Sequence, residues 1–109
     1  MLEGKAVVGE ADMLQPMQQQ ALSVAAKALD TFDVIDSTEI ARLIKKEFDE
    51  LYGHGWQCIV GTDFGSFVTH CRGCFIHFRI GSLAILLFRG MAGSVSQGNR
   101  YESMEAVKV

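Results

Sequence analysis

The hydrophobic positions of this chain change period near Gly55: before it they recur every three or four residues, and after it they come in short runs broken by glycine. Met13, Met17, Ala21, Val24, Ala25, Ala28 and Phe32 form one stripe opposite Gln18, Gln19, Ser23 and Lys27. That pattern predicts an amphipathic helix of about four to five turns. Asp12 has capping-box spacing to Gln15, and Pro16 in the first turn gives up an amide that has no helical partner anyway. A second helix is predicted to open at Asp36-Ser-Thr-Glu39, where Asp36 and Glu39 repeat the capping spacing and place negative charge at the positive end of the dipole. Ile40, Leu43, Ile44, Phe48 and Leu51 make its buried face, Arg42, Lys45, Lys46, Asp49 and Glu50 face mainly solvent, and Gly53 and Gly55 end it.

Lys5 to Glu10, with its alanine–valine centre, reads as a marginal first strand. Trp56–Val60, Asp63–His70, Phe75–Ile80 and Leu83–Phe88 read as four more, separated by Gly61-Thr62, Cys71-Arg-Gly-Cys74 and Gly81-Ser82, the last suited to a type II′ hairpin turn. Leu83–Phe88 shows no alternation, so both of its faces must be covered. Two helices cover one face of such a sheet. The other is expected against a second subunit, which predicts a homodimer. Phe64 to His70 is less apolar than its neighbours, as befits an edge strand with backbone groups left to pair.

A chain of 109 residues, 49% hydrophobic and 21% charged, supplies one domain with one core. A formal charge of −3 without a lysine or arginine cluster excludes long-range attraction to nucleic acid. The first ten residues do not form a secretory signal, and the longest apolar run, Leu83–Phe88, is six residues against the roughly 20 that a bilayer requires. Three cysteines suit a reducing compartment, so a soluble cytoplasmic protein without membrane contact is expected. After Gly90 the composition turns to Ser, Gly and mixed charge. Residues 1–90 are therefore expected to form the domain and 91–109 a tail disordered on its own, with Tyr101–Val109 at most a transient helix.

Residue types that could carry chemistry are present, but in poor arrangements. His70, Cys71, Cys74 and His77 offer zinc donors within eight residues. All four lie beside one turn, however, and strand alternation turns His70 and Cys71 to opposite sides. A redox role for Cys71 and Cys74 would want a helix N-terminus, whereas strands flank the pair. Cys58, inside a strand, reads as a small buried hydrophobe. Ser66, His70 and Asp63 do not make a hydrolase triad, since Ser66 and His70 are two pleats apart without a nucleophile elbow. Gly61, Gly65 and Gly73 lack the lysine and the following helix of a phosphate loop. No enzyme and no cofactor is expected.

Backbone recognition needs none of these groups. Gly65 lets another chain approach closely, Ser66, Thr69 and His70 offer short polar contacts, and Phe64, Phe67, Phe75 and Phe78 either wall a groove or fill the core. His77 and Arg79 alternate with apolar neighbours and should look into solvent or a groove.

Lys45-Lys-Glu-Phe-Asp49, Trp56-x-Cys-Ile-Val-Gly61, Phe64-Gly-Ser-Phe-Val-Thr-His70 and Ala84-Ile-Leu-Leu-Phe88 resemble, in order and spacing, the small dynein light chains of the eight-kilodalton class. Lys5-Ala-Val7, Ala11-Asp-Met13 and Met17-Gln-Gln19 extend the likeness to about residues 5–90. The resemblance implies an α+β fold: two helices packed on an antiparallel sheet of about five strands, in a homodimer that exchanges the strand Asp63–Thr69. It implies two grooves where short segments of partner proteins, commonly with a Thr-Gln-Thr core, add antiparallel to that strand. A dimeric partner then gains avidity.

Carried over by position, the resemblance assigns peptide binding to Asp63, Phe64, Gly65, Ser66, Phe67, Val68, Thr69, His70 and Phe75. It also assigns His77 and Arg79 of the groove, and Ser37 and Thr38 at the second helix, where a ligand glutamine caps. Gln57, Gly61, Ser66, Phe67 and Thr69 fall at the dimer interface. His77 and Arg79 replace tyrosines, Ser37 and Thr38 replace a charged pair, and Gln57 replaces a histidine whose protonation loosens the dimer, so ligand preference and pH response should differ. The implied function is a non-enzymatic hub that binds short linear motifs and promotes partner dimerisation. A dynein complex, through its intermediate chain, is one setting. The alternatives are a scaffolding or inhibitory subunit of one fixed assembly and a small zinc or redox module centred on Cys71 and Cys74.

Overall fold

A computed structural model of the chain describes residues 5–33, 35–90 and 104–108. The elements run β1 (Ala6–Met13), α1 (Gln15–Thr31), α2 (Ser37–Tyr52), β2 (Trp56–Gly61), β3 (Phe67–Cys71), β4 (Cys74–Ile80), β5 (Leu83–Arg89) and β6 (Met104–Lys108). Four of the strands form one antiparallel sheet in the order β1-β4-β5-β2, and β3 pairs with β6 in a separate two-stranded ladder. The architecture is thus α+β, two helices on an antiparallel sheet. Four strands rather than five occupy that sheet, because β3 stands outside it.

From Ala21 onward most of the helical stripe residues sit where the period places them, whereas Met13, predicted on the first helix, is the last residue of β1. Ala21, Val24, Ala25 and Ala28 of α1 and Ile40, Ile44 and Phe48 of α2 join Trp56, Ile76, Phe78, Ile80, Leu83, Ile85 and Leu87 in one core. The small alanines of α1 let it pack closely against α2, while Phe48, Tyr52 and Trp56 fill the end of α2 with rings 4.9 to 6.3 Å apart. Leu51, assigned by period to the buried face, is 49% exposed.

Both expected capping boxes are absent. Asp12 belongs to β1, which runs through Met13, and its carboxylate accepts the Gly73 amide at 3.0 Å. The first helix therefore starts at Gln15 behind Leu14, and the Gln18 side chain reaches back to the Met13 carbonyl at 2.7 Å. Asp36 precedes α2 without a side-chain cap, leaving the first-turn amides of Ser37, Thr38 and Glu39 without helical partners.

The β4–β5 hairpin closes through Gly81-Ser82, with Ile80 paired to Leu83. Gly81 sits at φ +58 and no residue other than glycine has positive φ among the described residues, as a type II′ turn requires and a type I′ turn does not. No described helix is long and apolar enough to cross a membrane.

Residues 91–103 lie outside the described residues. Met104–Lys108 is a strand rather than the helix considered for Tyr101–Val109, held by an antiparallel ladder in which Phe67 pairs with Lys108 and Cys71 with Met104.

Candidate functional site

The sheet has a second face, turned away from the helices. Registers place Phe75, His77 and Arg79 of β4 on it beside Phe88, Leu86 and Ala84 of β5, and these beside Gln57, Ile59 and Gly61 of β2. Leu83–Leu87 is buried throughout, so this face is covered as its unbroken apolar run requires. Part of the cover comes from the chain itself. The Phe64 ring lies 3.4 Å from where a Cβ would stand on Gly61 and meets His77 edge-on at 6.2 Å. The His70 ring stacks on Phe75 at 4.8 Å. A second subunit is therefore not needed to bury Leu86.

Thr62 to Ser66 has no repeating structure, and regular pairing starts at Phe67, four residues later than the sequence pattern sets it. Arg79 donates from Nη2 to the Thr62 carbonyl at 3.0 Å and ties the start of the segment to β4. Gly65 is exposed with open space where a Cβ would stand.

Within β3, Phe67 is 71% exposed and Thr69 is exposed, while Val68 is half-buried and His70 fully buried. His70 pairs through Nδ1 with the Cys71 carbonyl at 2.7 Å, and its Nε2 is buried without a hydrogen-bond partner among the described residues. Its imidazole is thus part of a ring stack rather than a surface contact. Although a two-residue turn joins β3 to β4 and five residues join it to β2, β3 forms a ladder with neither. Among the described residues nothing pairs with the outer edge of β2.

Ser37 meets this region at one end. Ile35, Ser37, Gly61, Thr62, Asp63, Ser82 and Leu83 line an open pocket of about 500 Å³, joining the uncapped N-terminus of α2 to the end of β2 and to the connecting segment. Thr38 is exposed on the same first turn. The structure thus brings Ser37, Gly61 and Asp63 to one pocket and Phe64, Phe75, His77 and Arg79 to one sheet face, with Gln57 exposed on the edge strand.

Electrostatics separate the two groove residues that replace tyrosines. Burial pushes the His77 pKa below its usual value, the Arg79 charge adds to this and Glu10 opposes it, so His77 is neutral near pH 7. Arg79 is exposed and charged.

The cysteine and histidine cluster does not gather. Among the described residues no three His, Cys, Asp or Glu side chains are placed to hold a metal ion, and Cys58, Cys71 and Cys74 are free thiols. Burial and the neighbouring Cys71 raise the Cys74 thiol, and burial alone raises Cys58 strongly, the opposite of what a reactive thiolate needs.

One structural residue escaped the periodic reading. Asp49, expected in solvent, accepts the Trp56 amide at 3.0 Å and pairs with Lys45. Burial raises its pKa, but the Lys45 and Trp56 hydrogen bonds and the Lys45 and His54 charges outweigh this and hold the carboxyl below the usual range.

The family model for dynein light chain type 1 matches residues 5–90. The chain belongs to the dynein light chain family. In general, dynein light chains are soluble, cytoplasmic and non-enzymatic, bind partner peptides and form homodimers. Solved dynein light chain-like domains share its fold. That of the Fasciola hepatica calcium binding protein FhCaBP2 matches with a TM-score of 0.64 at 24% identity, covering 78% of this chain and 91% of that domain. The corresponding domain of CsTAL3 matches with a TM-score of 0.56 at 20% identity, covering 78% of this chain and 92% of that one.

Proposed function

We propose that this dynein light chain family member is a homodimeric hub that takes up short extended segments of partner proteins by strand addition to β3. The observation that supports this reading is the isolation of β3. Its chain neighbours β2 and β4 both sit in the main sheet, yet β3 pairs with neither, and among the described residues β2 keeps an open edge. Exchange of β3 between two copies fills the β2 edges, and a ligand strand then occupies the other side of β3, where main-chain hydrogen bonds give affinity with little demand on sequence. Asp63 to His70 supply the strand and its approach, Phe75, His77 and Arg79 the groove wall, and the Ser37 and Thr38 amides the cap for a ligand glutamine. Gln57, Gly61, Ser66, Phe67 and Thr69 lie at the exchanged interface. Two grooves on one dimer hold two partner chains side by side, which favours partner dimerisation in the cytoplasm. A dynein complex is one such setting.

Two measurements test the reading. Light scattering at micromolar concentration should give twice the 12.0 kDa chain mass. Fluorescence anisotropy with a labelled Thr-Gln-Thr peptide should saturate at one peptide per chain. A monomer mass, or a signal that never saturates into the millimolar range, would sink the proposal.

A further inference from the structure

The strand that already lies against β3 is the chain's own tail. Met104–Lys108 pairs with Phe67–Cys71 over five register positions, antiparallel, in the direction proposed for a partner segment. We infer that the C-terminal strand is a built-in ligand of the β3 groove, held in the same chain, which partner peptides must displace. The inference rests on the strand-addition reading above and names one occupant of that site.

The path of the chain supports pairing within one molecule. Gly90 follows the last residue of β5, and its carbonyl lies 3.5 Å from the Cys71 thiol, so the chain leaves the sheet beside the C-terminal end of β3. Met104, the first residue of β6, is the register partner of that same Cys71. Gly90 and Met104 are therefore both neighbours of Cys71, so the end of the sheet and the start of β6 lie at one place beside β3. Closure entropy grows only slowly with loop length, so thirteen intervening residues are no obstacle.

The pairing is through the backbone, which fits a segment as plain as Met-Glu-Ala-Val-Lys. β3 presents amides and carbonyls that any extended chain without proline can meet. A tethered segment competes at an effective concentration on the order of millimolar. Single partner peptides then still bind but about tenfold more weakly than they would to an empty groove, and bivalent partners recover that loss through avidity. The tail becomes a threshold that selects dimeric clients over monomeric ones.

The test uses the full chain carrying A106P and V107P. Consecutive residues of a strand point their amides to opposite sides, so two adjacent prolines remove one amide facing β3 whichever way the register falls. The substitutions lie outside the core formed by α1, α2, β2, β4 and β5. The probe is a labelled synthetic peptide of Tyr101 to Val109 with the natural sequence. It should bind the double-proline chain about tenfold or more tightly than it binds the unaltered chain, and hydrogen exchange at Phe67–Cys71 should be faster in the double-proline chain before peptide is added. Equal binding to both chains, no binding to either, or unchanged exchange would overturn the inference. So would a double-proline chain that dimerises more tightly while binding the probe equally, which would place β6 on the dimerising edge. The probe is the tail itself, so failure of a Thr-Gln-Thr peptide to bind would count against the general reading and leave this result standing.

Discussion

Asp49, near the end of α2, accepts the backbone amide of Trp56, the first residue of β2, at 3.0 Å. One hydrogen bond thus fixes where the helical layer hands over to the edge strand of the sheet. Trp56 is fully buried against Phe48, and its amide loses this acceptor when the carboxylate is removed.

Asp49→Ala should therefore cost about 1–3 kcal/mol, the penalty of a buried donor left without its acceptor, read as a lowered urea midpoint at unchanged m-value. The folded carboxyl titrates below its unfolded value of 3.8. Its contribution is present above that value and lost as the pH falls through the folded pKa. The acid limb of a stability–pH profile should accordingly flatten in the variant.

His77 works at milder pH. Its folded pKa lies below the unfolded 6.5, so the unfolded chain binds the proton first. Stability is retained above that value and declines as the pH drops through it toward the folded pKa. His77→Gln should remove this decline in urea titrations between about pH 7 and pH 5. Gln57 cannot take up a proton, so dimer mass should change little over the same range. A mass that halves by pH 5 would contradict that expectation.

Arg79 is exposed, and its hydrogen bond to the Thr62 carbonyl is at the surface. Arg79→Ala should leave global stability within about 0.5 kcal/mol. It should remove a preference for ligands with acidic flanks, worth about two- to fivefold for an exposed charge pair. An array of Thr-Gln-Thr variants in which acidic flanks bring no gain to the unaltered protein would refute the preference.

Leu86 lies on the face away from the helices and is nonetheless fully buried. Leu86→Ala should cost about 2–5 kcal/mol, measured by thermal or urea unfolding. A cost below 1 kcal/mol would mean that the cover of this face is loose.

These features divide by how far they could be read along the chain. Ile40, Ile44 and Phe48, the alanines of α1 and the run Leu83–Leu87 announce themselves, because burial imposes a period or abolishes one. The Gly81-Ser82 turn is legible for a similarly local reason, the need for positive φ at one position. Asp12 misled because β1 is an edge strand exposed along most of its length, so its polar residues look like the approach to a helix. Its carboxylate is satisfied by Gly73, sixty-one positions away. Asp49 was hidden because a helical wheel shows which side a carboxylate is on and not whether the chain returns to it.

At the candidate site, the residues from Phe64 to Arg79 could be singled out, but not their roles. His70 offers a polar group in the sequence and a stacked, enclosed ring in the structure. The strand at Met104–Lys108 was illegible altogether. Five residues without a marked period become a strand only through their partner, and that partner lies more than thirty positions upstream.

Addition of a partner segment to β3 as a strand can be followed by amide-resolved titration of isotope-labelled full chain with a Thr-Gln-Thr peptide. The amides of Asp63 to Cys71 should shift together in one saturable step, accompanied by Ser37 and Thr38, while those of α1 stay in place. Saturable binding that leaves Phe67–Cys71 unmoved would contradict it.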